Sequence, residues 1–134
     1  MAPFQVIFPG NKRVDVKFKD FLVKTDQSRK NQGDETAPEP FALFLASLAS
    51  CAGIYAKSFC DTRELDTAGM KLELTPFFKK GQKHMEKIEI TLHVNQDFPE
   101  KYIKPVIKAM DACAVKKQLH PEIISDTRVA YLEA

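Results

Sequence analysis

Three cysteines are the residues of this chain with the most reactive side chains. Cys51 lies inside an Ala- and Leu-rich stretch, Cys60 follows nine residues later, and Cys113 lies near the far end of the chain. A small, odd number of cysteines differs from the dense, even-numbered set of a disulfide-stabilised secreted protein. In a reducing compartment a cysteine is more often buried, metal-bound or catalytic than structurally paired. The sequence therefore predicts a cytoplasmic location.

Helical geometry separates Cys60 from Cys51. Nine residues of α-helix place the two on opposite sides, roughly 13 Å apart along the axis. A disulfide needs α-carbons within ~7 Å, so these two cannot pair, and Cys60 is interpreted as a small buried side chain. Cys51 has two interpretations, packing or chemistry. Apolar surroundings raise the pKa of a thiol. A reactive Cys51 would therefore need a cationic partner from elsewhere in the fold.

Cys113 is predicted to lie on the second helix, with Lys116 and Lys117 three and four residues further on. Those positions share a helical face with it, and nearby ammonium groups would favour its thiolate. The alternative is that the lysines form a solvated helix end. Because Cys51 and Cys113 lie on different predicted elements, a pairing of the two across the core is geometrically open.

Other chemistries have little support. His84, His93 and His120 fall on a turn, a strand and a helix end, without ligand spacing to a cysteine, so no metal site is predicted. The chain has no phosphate loop, GxSxG elbow or HExxH motif. A net charge of +2, from 20 basic and 18 acidic residues, argues against a nucleic-acid partner. The uncharged stretch 40–56 is short of the ~20 residues of a membrane span, so no membrane partner is predicted.

The elements that must position the thiols follow from the hydrophobic periodicity. A length of 134 residues predicts a single domain over 1–134. The predicted strands are 4–8, 13–19, 21–25, 69–78, 85–95 and 123–132. A first helix is predicted over 40–60 and a second from Pro99 towards Leu119. Pro105 is expected to kink or restart the second helix, because proline lacks the amide and clashes with the preceding turn. Residues 26–39 are predicted to be a long loop.

This order, βββαββαβ, predicts an α+β fold. Short connections and clean alternation favour a mainly antiparallel six-stranded sheet with helices on one face. The first helix is apolar on all sides through Ala56. A helix without a polar face must be covered all round, which one short chain does with difficulty. The first helix therefore indicates a subunit interface.

Two segments carry a resemblance to a known family. PEPFALFLASLASC, residues 38–51, and DACAVKKQLHPEI, residues 111–123, resemble the first- and second-cysteine segments of the OsmC/Ohr family. The stretch LDTAG at 65–69 is also similar, and the predicted element order fits along essentially the whole chain. The resemblance implies an intertwined homodimer with two long helices at its centre.

The resemblance also implies a chemistry. Catalytic members of the family reduce organic hydroperoxides with two cysteines and without a metal or organic cofactor. Cys51 would attack the peroxide, Cys113 would resolve the sulfenic acid as a disulfide, and an external dithiol would restore both. An arginine supports the thiolate in the family. Arg13 is the nearest positional match, and Arg29 is the second choice.

Some positions depart from the catalytic pattern. The family places a glutamate nine or ten residues before the first cysteine, where this chain has Ala42 and Phe41, and Glu39 is the nearest acid. Ala114 stands where the family often has proline. The resemblance is therefore to the less characterised OsmC-like branch. The alternative function is a non-catalytic small-molecule-binding or redox-sensing protein.

Overall fold

The computed structural model of the protein describes residues 1–133. Within them the order is βββαββαβ, which confirms the predicted α+β class. The strands and α-helices are β1 (Gln5–Gly10), β2 (Arg13–Phe18), β3 (Phe21–Thr25), α1 (Pro40–Thr62), β4 (Lys71–Phe77), β5 (Lys87–Val94), α2 (Ile103–Asp111) and β6 (Ile124–Tyr131). Short 3-10 turns cover Arg29–Asn31, Glu100–Tyr102 and Lys116–Gln118.

The chain divides into two compact units, Met1–Phe44 and Leu45–Ala134, whose boundary falls inside helix α1. The single domain over 1–134 stays a prediction. Each unit contains one three-stranded sheet, in the orders β1-β2-β3 and β4-β5-β6. The six predicted strands are therefore present, but in two sheets rather than the one expected.

The sheet of the first unit is antiparallel and has one apolar face. Val6 lies opposite Val16, which in turn lies opposite Val23, so the three form a row on the same face. Phe4 stacks on Phe18 with ring centroids 4.3 Å apart. Much of this face is nonetheless exposed to solvent within the chain. The sheet is therefore formed by pairing, without a buried apolar core of its own.

The loop of the first unit is ordered by one buried carboxylate. Asp26 is fully buried and accepts hydrogen bonds from the backbone amide of Gln27 (2.7 Å), and from the amide (3.0 Å) and hydroxyl (2.6 Å) of Thr36. The hydroxyl and amide of Thr36 are the main causes that lower the pKa of Asp26 to about 2. Gly33 packs so closely that a Cβ on it would lie 2.0 Å from the carbonyl oxygen of Gln27. The predicted long loop is thus a compact, hydrogen-bonded segment.

The sheet of the second unit carries the hydrophobic core. Alternate residues of the central strand β5 are buried, namely Ile88, Ile90, Leu92 and Val94. Strand β4 pairs with β5 antiparallel, whereas β6 pairs with it parallel. Parallel neighbours need a crossover connection, and here the segment containing α2 provides it. The mainly antiparallel arrangement is therefore correct except for this pair.

Helix α1 buries only part of its surface. Leu48, Ala52, Ala56 and Phe59 recur at helical spacing and are buried, whereas Phe44 and Ile54 are exposed. The helix is long and apolar enough to cross a membrane by length and composition, and 28% of its most apolar window is buried inside the chain. The chain itself therefore does not supply the cover on all sides that the sequence demands.

Helix α2 is shorter than predicted. It runs from Ile103 to Asp111, after a 3-10 turn at Glu100–Tyr102, so Pro105 lies in its first turn. Proline is tolerated there because the first amides have no partner within the helix. The predicted restart at Pro105 is confirmed, whereas a continuous helix to Leu119 is wrong. Cys113 consequently lies in a turn beyond the helix.

Candidate redox site

The structure brings Cys51 and Cys113 together within the second unit. Helix α1 presents Cys51 on a partly buried position beside the buried Ala52. Cys113 follows α2 and is fully buried, with its amide donating to the carbonyl of Met110 at 3.2 Å. The two thiols share a hydrogen bond, and both cysteines are free. The two thiols are therefore neighbours, as the sequence left open, and a disulfide between them stays a prediction.

The turn that follows α2 supplies backbone donors to both sulfurs. It closes where the amide of Lys117 donates to the carbonyl of Cys113 at 3.3 Å. The leading amides of such a helical turn have no partner within it. Those of Ala114 and Val115 donate to Cys51, and those of Val115 and Lys116 donate to Cys113. The turn thus holds the thiol pair by hydrogen bonds from its backbone amides.

The two thiols have opposite pKa shifts. Burial is the largest influence on Cys51 and raises its pKa, but hydrogen bonds from the Cys113 thiol and from the amides of Val115 and Ala114 outweigh it. The pKa of Cys51 therefore lies below its ordinary value. For Cys113, burial and donation to Cys51 both raise the pKa, and the amides offset this only in part. Cys51 is thus the thiol that ionises first, with Cys113 as its hydrogen-bond donor.

These geometries bear on two expectations about charge. The ammonium groups of Lys116 and Lys117 are not among the groups that set the pKa of Cys113. The ammonium of Lys116 instead contacts the carboxylate of Asp111, and Lys117 is exposed. The interpretation in which these lysines favour a Cys113 thiolate is wrong, since the pKa of Cys113 is raised. Within the single chain the lowering at Cys51 comes from neutral donors, and a cationic partner from elsewhere stays a prediction.

Cys60 lies apart from the pair, near the end of α1, and is fully buried. Burial is the main cause that raises its pKa, and the adjacent Asp61 adds to the effect. Lys57 and Arg63 offset the shift only partly. A buried thiol with a raised pKa is chemically inert, which agrees with its interpretation as a packing residue.

Arg13, the predicted thiolate support, lies in the first unit on strand β2 and is exposed. It borders a polar cavity of about 140 Å³. The other lining residues are Asp15, Lys24, Thr25, Thr36 and Ala37. The support of Cys51 by Arg13 stays a prediction.

The other two polar candidates of the first unit have local partners. Arg29 lies 3.8 Å from the carboxylate of Glu35, and both side chains are exposed. Glu39 accepts a hydrogen bond from the amide of Ser28 at 3.1 Å. Glu39 therefore stabilises the loop that precedes α1.

A cluster that the sequence did not indicate joins two loops of the second unit. His84 stacks on His120 with ring centroids 4.3 Å apart, and its Nε2 lies 3.4 Å from the carboxylate of Glu122. The possible ligand atoms of these three residues lie within 4.8 Å of one another. The in-plane lone pairs of stacked imidazoles run side by side, however, instead of converging on one ion as tetrahedral coordination needs. The absence of a metal cofactor stays a prediction.

The chain was compared with protein-family models and with solved structures, and both comparisons found matches. The family model described as OsmC-like protein matches residues 33–127. A structure from Psychrobacter arcticus 273-4, named for an osmotic stress induced and detoxification response, is similar at 26% identity and a TM-score of 0.82, covering 97% of this chain and 96% of that one. An OsmC-like protein of Mycoplasma pneumoniae has 14% identity and a TM-score of 0.80, with 99% and 98% covered.

An organic hydroperoxide resistance protein OsmC of Legionella pneumophila is similar at 14% identity and a TM-score of 0.65, over 97% of this chain and 96% of that one. Likeness at this level of identity carries the fold alone. No curated protein matches the chain. The family match covers most of the chain, and the solved structures share its fold throughout. The chain therefore belongs to the OsmC-like family.

Proposed function

We propose that the protein is a thiol-dependent peroxidase that reduces organic hydroperoxides through a two-cysteine cycle. The observation that carries the proposal is that two free cysteines on different elements, Cys51 and Cys113, are hydrogen-bonded neighbours, and the lowered pKa of Cys51 supports it. The thiolate is the form that attacks a peroxide, and the protonated neighbour is the form that later resolves the product. A relative of the same fold is named an organic hydroperoxide resistance protein, which supports the substrate class.

In the first proposed step the Cys51 thiolate attacks the terminal oxygen of ROOH. An S–O bond forms while the O–O bond breaks, so that Cys51 becomes a sulfenic acid and the peroxide leaves as an alcohol. The alkoxide takes up the proton that the thiol gave up on ionisation. Sulfur loses two electrons, and the peroxide gains them.

In the second step Cys113 attacks the sulfenic sulfur. A disulfide forms between Cys51 and Cys113, and the hydroxyl leaves as water with the proton of the Cys113 thiol. An external dithiol then reduces this disulfide by exchange and is itself oxidised, which restores both thiols. Over one turn, ROOH and a dithiol yield an alcohol, water and the oxidised dithiol. No metal or organic cofactor takes part in this cycle.

The proposed working unit is a homodimer in the cytoplasm. Exposed apolar side chains on α1, such as Phe41, Phe44 and Ile54, support a second copy as their cover. In the dimer, we assign Arg13 to support of the Cys51 thiolate, by analogy with the family.

The experiment is a count of free thiols after oxidation. The reduced protein has three thiols per chain. One equivalent of tert-butyl hydroperoxide should leave a single reactive thiol under denaturing conditions, and peptide mapping should identify it as Cys60. Cys51→Ser should abolish peroxide consumption, whereas Cys60→Ser should leave it unchanged. Three thiols remaining after prolonged exposure would overturn the proposal.

The second candidate is a non-catalytic small-molecule-binding or redox-sensing protein. Phe41 and Ala42 occupy the positions where catalytic members carry a glutamate, and the carboxylate of Glu39 is engaged with Ser28. This candidate predicts that peroxide is not turned over even though the thiol pair is intact. Retention of an apolar ligand through purification, measured by native mass spectrometry, would favour it.

A further inference from the structure

Three side chains outside the thiol pair tie the Cys113 turn to its neighbours. Asp111 is the last residue of α2, Lys116 begins the 3-10 turn, and Thr127 lies on β6. The hydroxyl of Thr127 donates to the Asp111 carboxylate at 2.6 Å. The ammonium of Lys116 donates to the same carboxylate and to the Thr127 hydroxyl, the latter at 3.2 Å. The three side chains form a closed ring that joins a helix, a turn and a strand.

The ring is partly shielded from solvent, with the Lys116 side chain mostly buried and that of Asp111 about half exposed. The Lys116 side chain is only 12% exposed, although a lysine is ordinarily among the most solvated residues. Thr127 lies opposite Ile90 of the central strand, and Ile90 belongs to the core. The ring is therefore attached to the strand that pairs with the central strand of the core.

The ring residues flank the segment that hydrogen-bonds to the thiols. Asp111 and Lys116 bracket the segment that contains Cys113 and the donors Ala114 and Val115. Each of these two amides donates to Cys51. Hydrogen bonds to sulfur weaken as the donor moves or tilts, so their strength depends on where the turn is held.

We propose that Asp111, Lys116 and Thr127 are positioning residues that hold the amides of Ala114 and Val115 against Cys51. The inference deepens the proposed peroxidase function, on which its catalytic meaning rests, by naming what keeps Cys51 the more reactive thiol. None of the three side chains is among the groups that set the pKa of Cys51, which are burial, the Cys113 thiol and the two amides. Their action is therefore through the turn.

A direct charge effect makes the opposite prediction for one variant. If Asp111 acted through space, its negative charge would disfavour the Cys51 thiolate, and Asp111→Asn would lower the pKa of Cys51. If Asp111 holds the turn, the same variant loosens the amide donors and raises that pKa. The sign of the change therefore separates the two mechanisms.

The test is the rate of Cys51 alkylation by iodoacetamide as a function of pH, resolved by peptide mass spectrometry on the reduced full chain. Asp111→Asn, Lys116→Met and Thr127→Val should each raise the apparent pKa of Cys51. At neutral pH each should slow alkylation about three- to tenfold, as the loss of part of a hydrogen bond implies. Thr127→Ser keeps the hydroxyl and should restore the wild-type profile. Lys117→Met removes an equal charge from the exposed neighbour and should change nothing.

Circular dichroism and thermal unfolding identify any variant that fails to fold. If Asp111→Asn does not fold, the conservative variant Thr127→Val tests the same inference. A lower pKa in Asp111→Asn, or unchanged profiles in all folded variants, would overturn the inference. The readout is independent of turnover. If the wild type does not consume peroxide while the three variants still shift the profile, the peroxidase proposal fails and this inference stands.

Discussion

The two units of the chain use similar strands but are stabilised in different ways. Within residues 1–133, every buried hydrophobic side chain belongs to the second unit, where β5 and α1 contribute most of them. The buried side chains of the first unit are polar, namely Asp15, Thr25 and Asp26. Alternation alone therefore does not produce a core. The second unit holds itself together by apolar burial, whereas the first relies on strand pairing and on hydrogen bonds around one carboxylate.

The largest expected effect comes from comparing two leucines, one in a strand of each sheet. Leu92 in β5 is 1% exposed, and Leu22 in β3 is 47% exposed. Leu92→Ala should lower the free energy of unfolding by about 2–5 kcal/mol, because it removes buried methyl groups and leaves a cavity. Leu22→Ala should change it by about 0.5 kcal/mol or less. Urea unfolding monitored by circular dichroism measures both. A similar loss for the two would mean that the first unit has a core as well.

A smaller effect is expected from two glycines. Gly33→Ala places a Cβ against the backbone of Gln27 and should destabilise the first unit by about 1–3 kcal/mol. Gly53 lies within α1, and a Cβ there meets nothing within 4 Å. Gly53→Ala should stabilise the protein by about 0.5–1 kcal/mol, since alanine is the better helix former. Thermal unfolding of the two variants should shift in opposite directions. A stabilising Gly33→Ala would contradict the tight packing of the loop.

An effect that depends on pH is expected in the first unit alone. The pKa of Asp26 falls from 3.8 to about 2 in the folded chain. Its folded pKa is below its unfolded value, so the stability it contributes is fully present above pH 3.8 and is lost as the pH falls through about 2. Asp26→Asn should unfold at lower urea concentration than the wild type at neutral pH, and the gap should close at the acid end. A gap that is constant with pH would show that the charge of Asp26 contributes nothing.

Much of the fold follows from local sequence pattern. Strand β3 and the start of α1 are predicted to the residue, because alternation before Thr25 and the proline at position 40 are signals within a few residues. The separation into two sheets and the parallel pairing of β6 depend on contacts between distant segments. Hydrophobic periodicity reports on local structure and does not indicate which distant segments pair.

The candidate site divides in the same way. The proximity of Cys51 and Cys113 agrees with the resemblance of two segments, whereas their relative pKa does not follow from side-chain charges. Lys116 is predicted to act on Cys113 through its charge, and it acts instead through its backbone amide, with its ammonium committed to Asp111. Backbone donors are invisible in a sequence, because every residue except proline carries one.

The full burial of Cys113 beside a partly buried Cys51 has a consequence for survival of the proposed enzyme at high peroxide. A sulfenic acid is lost irreversibly when a second peroxide oxidises it before a thiol reaches it. Here the Cys113 thiol already donates a hydrogen bond to Cys51. In the proposed cycle the resolving thiol is therefore next to the sulfenic acid when it forms, which shortens the interval in which Cys51 is vulnerable. In the proposed cycle, a high peroxide concentration would therefore exhaust the external dithiol, and so slow peroxide turnover, before it overoxidised Cys51.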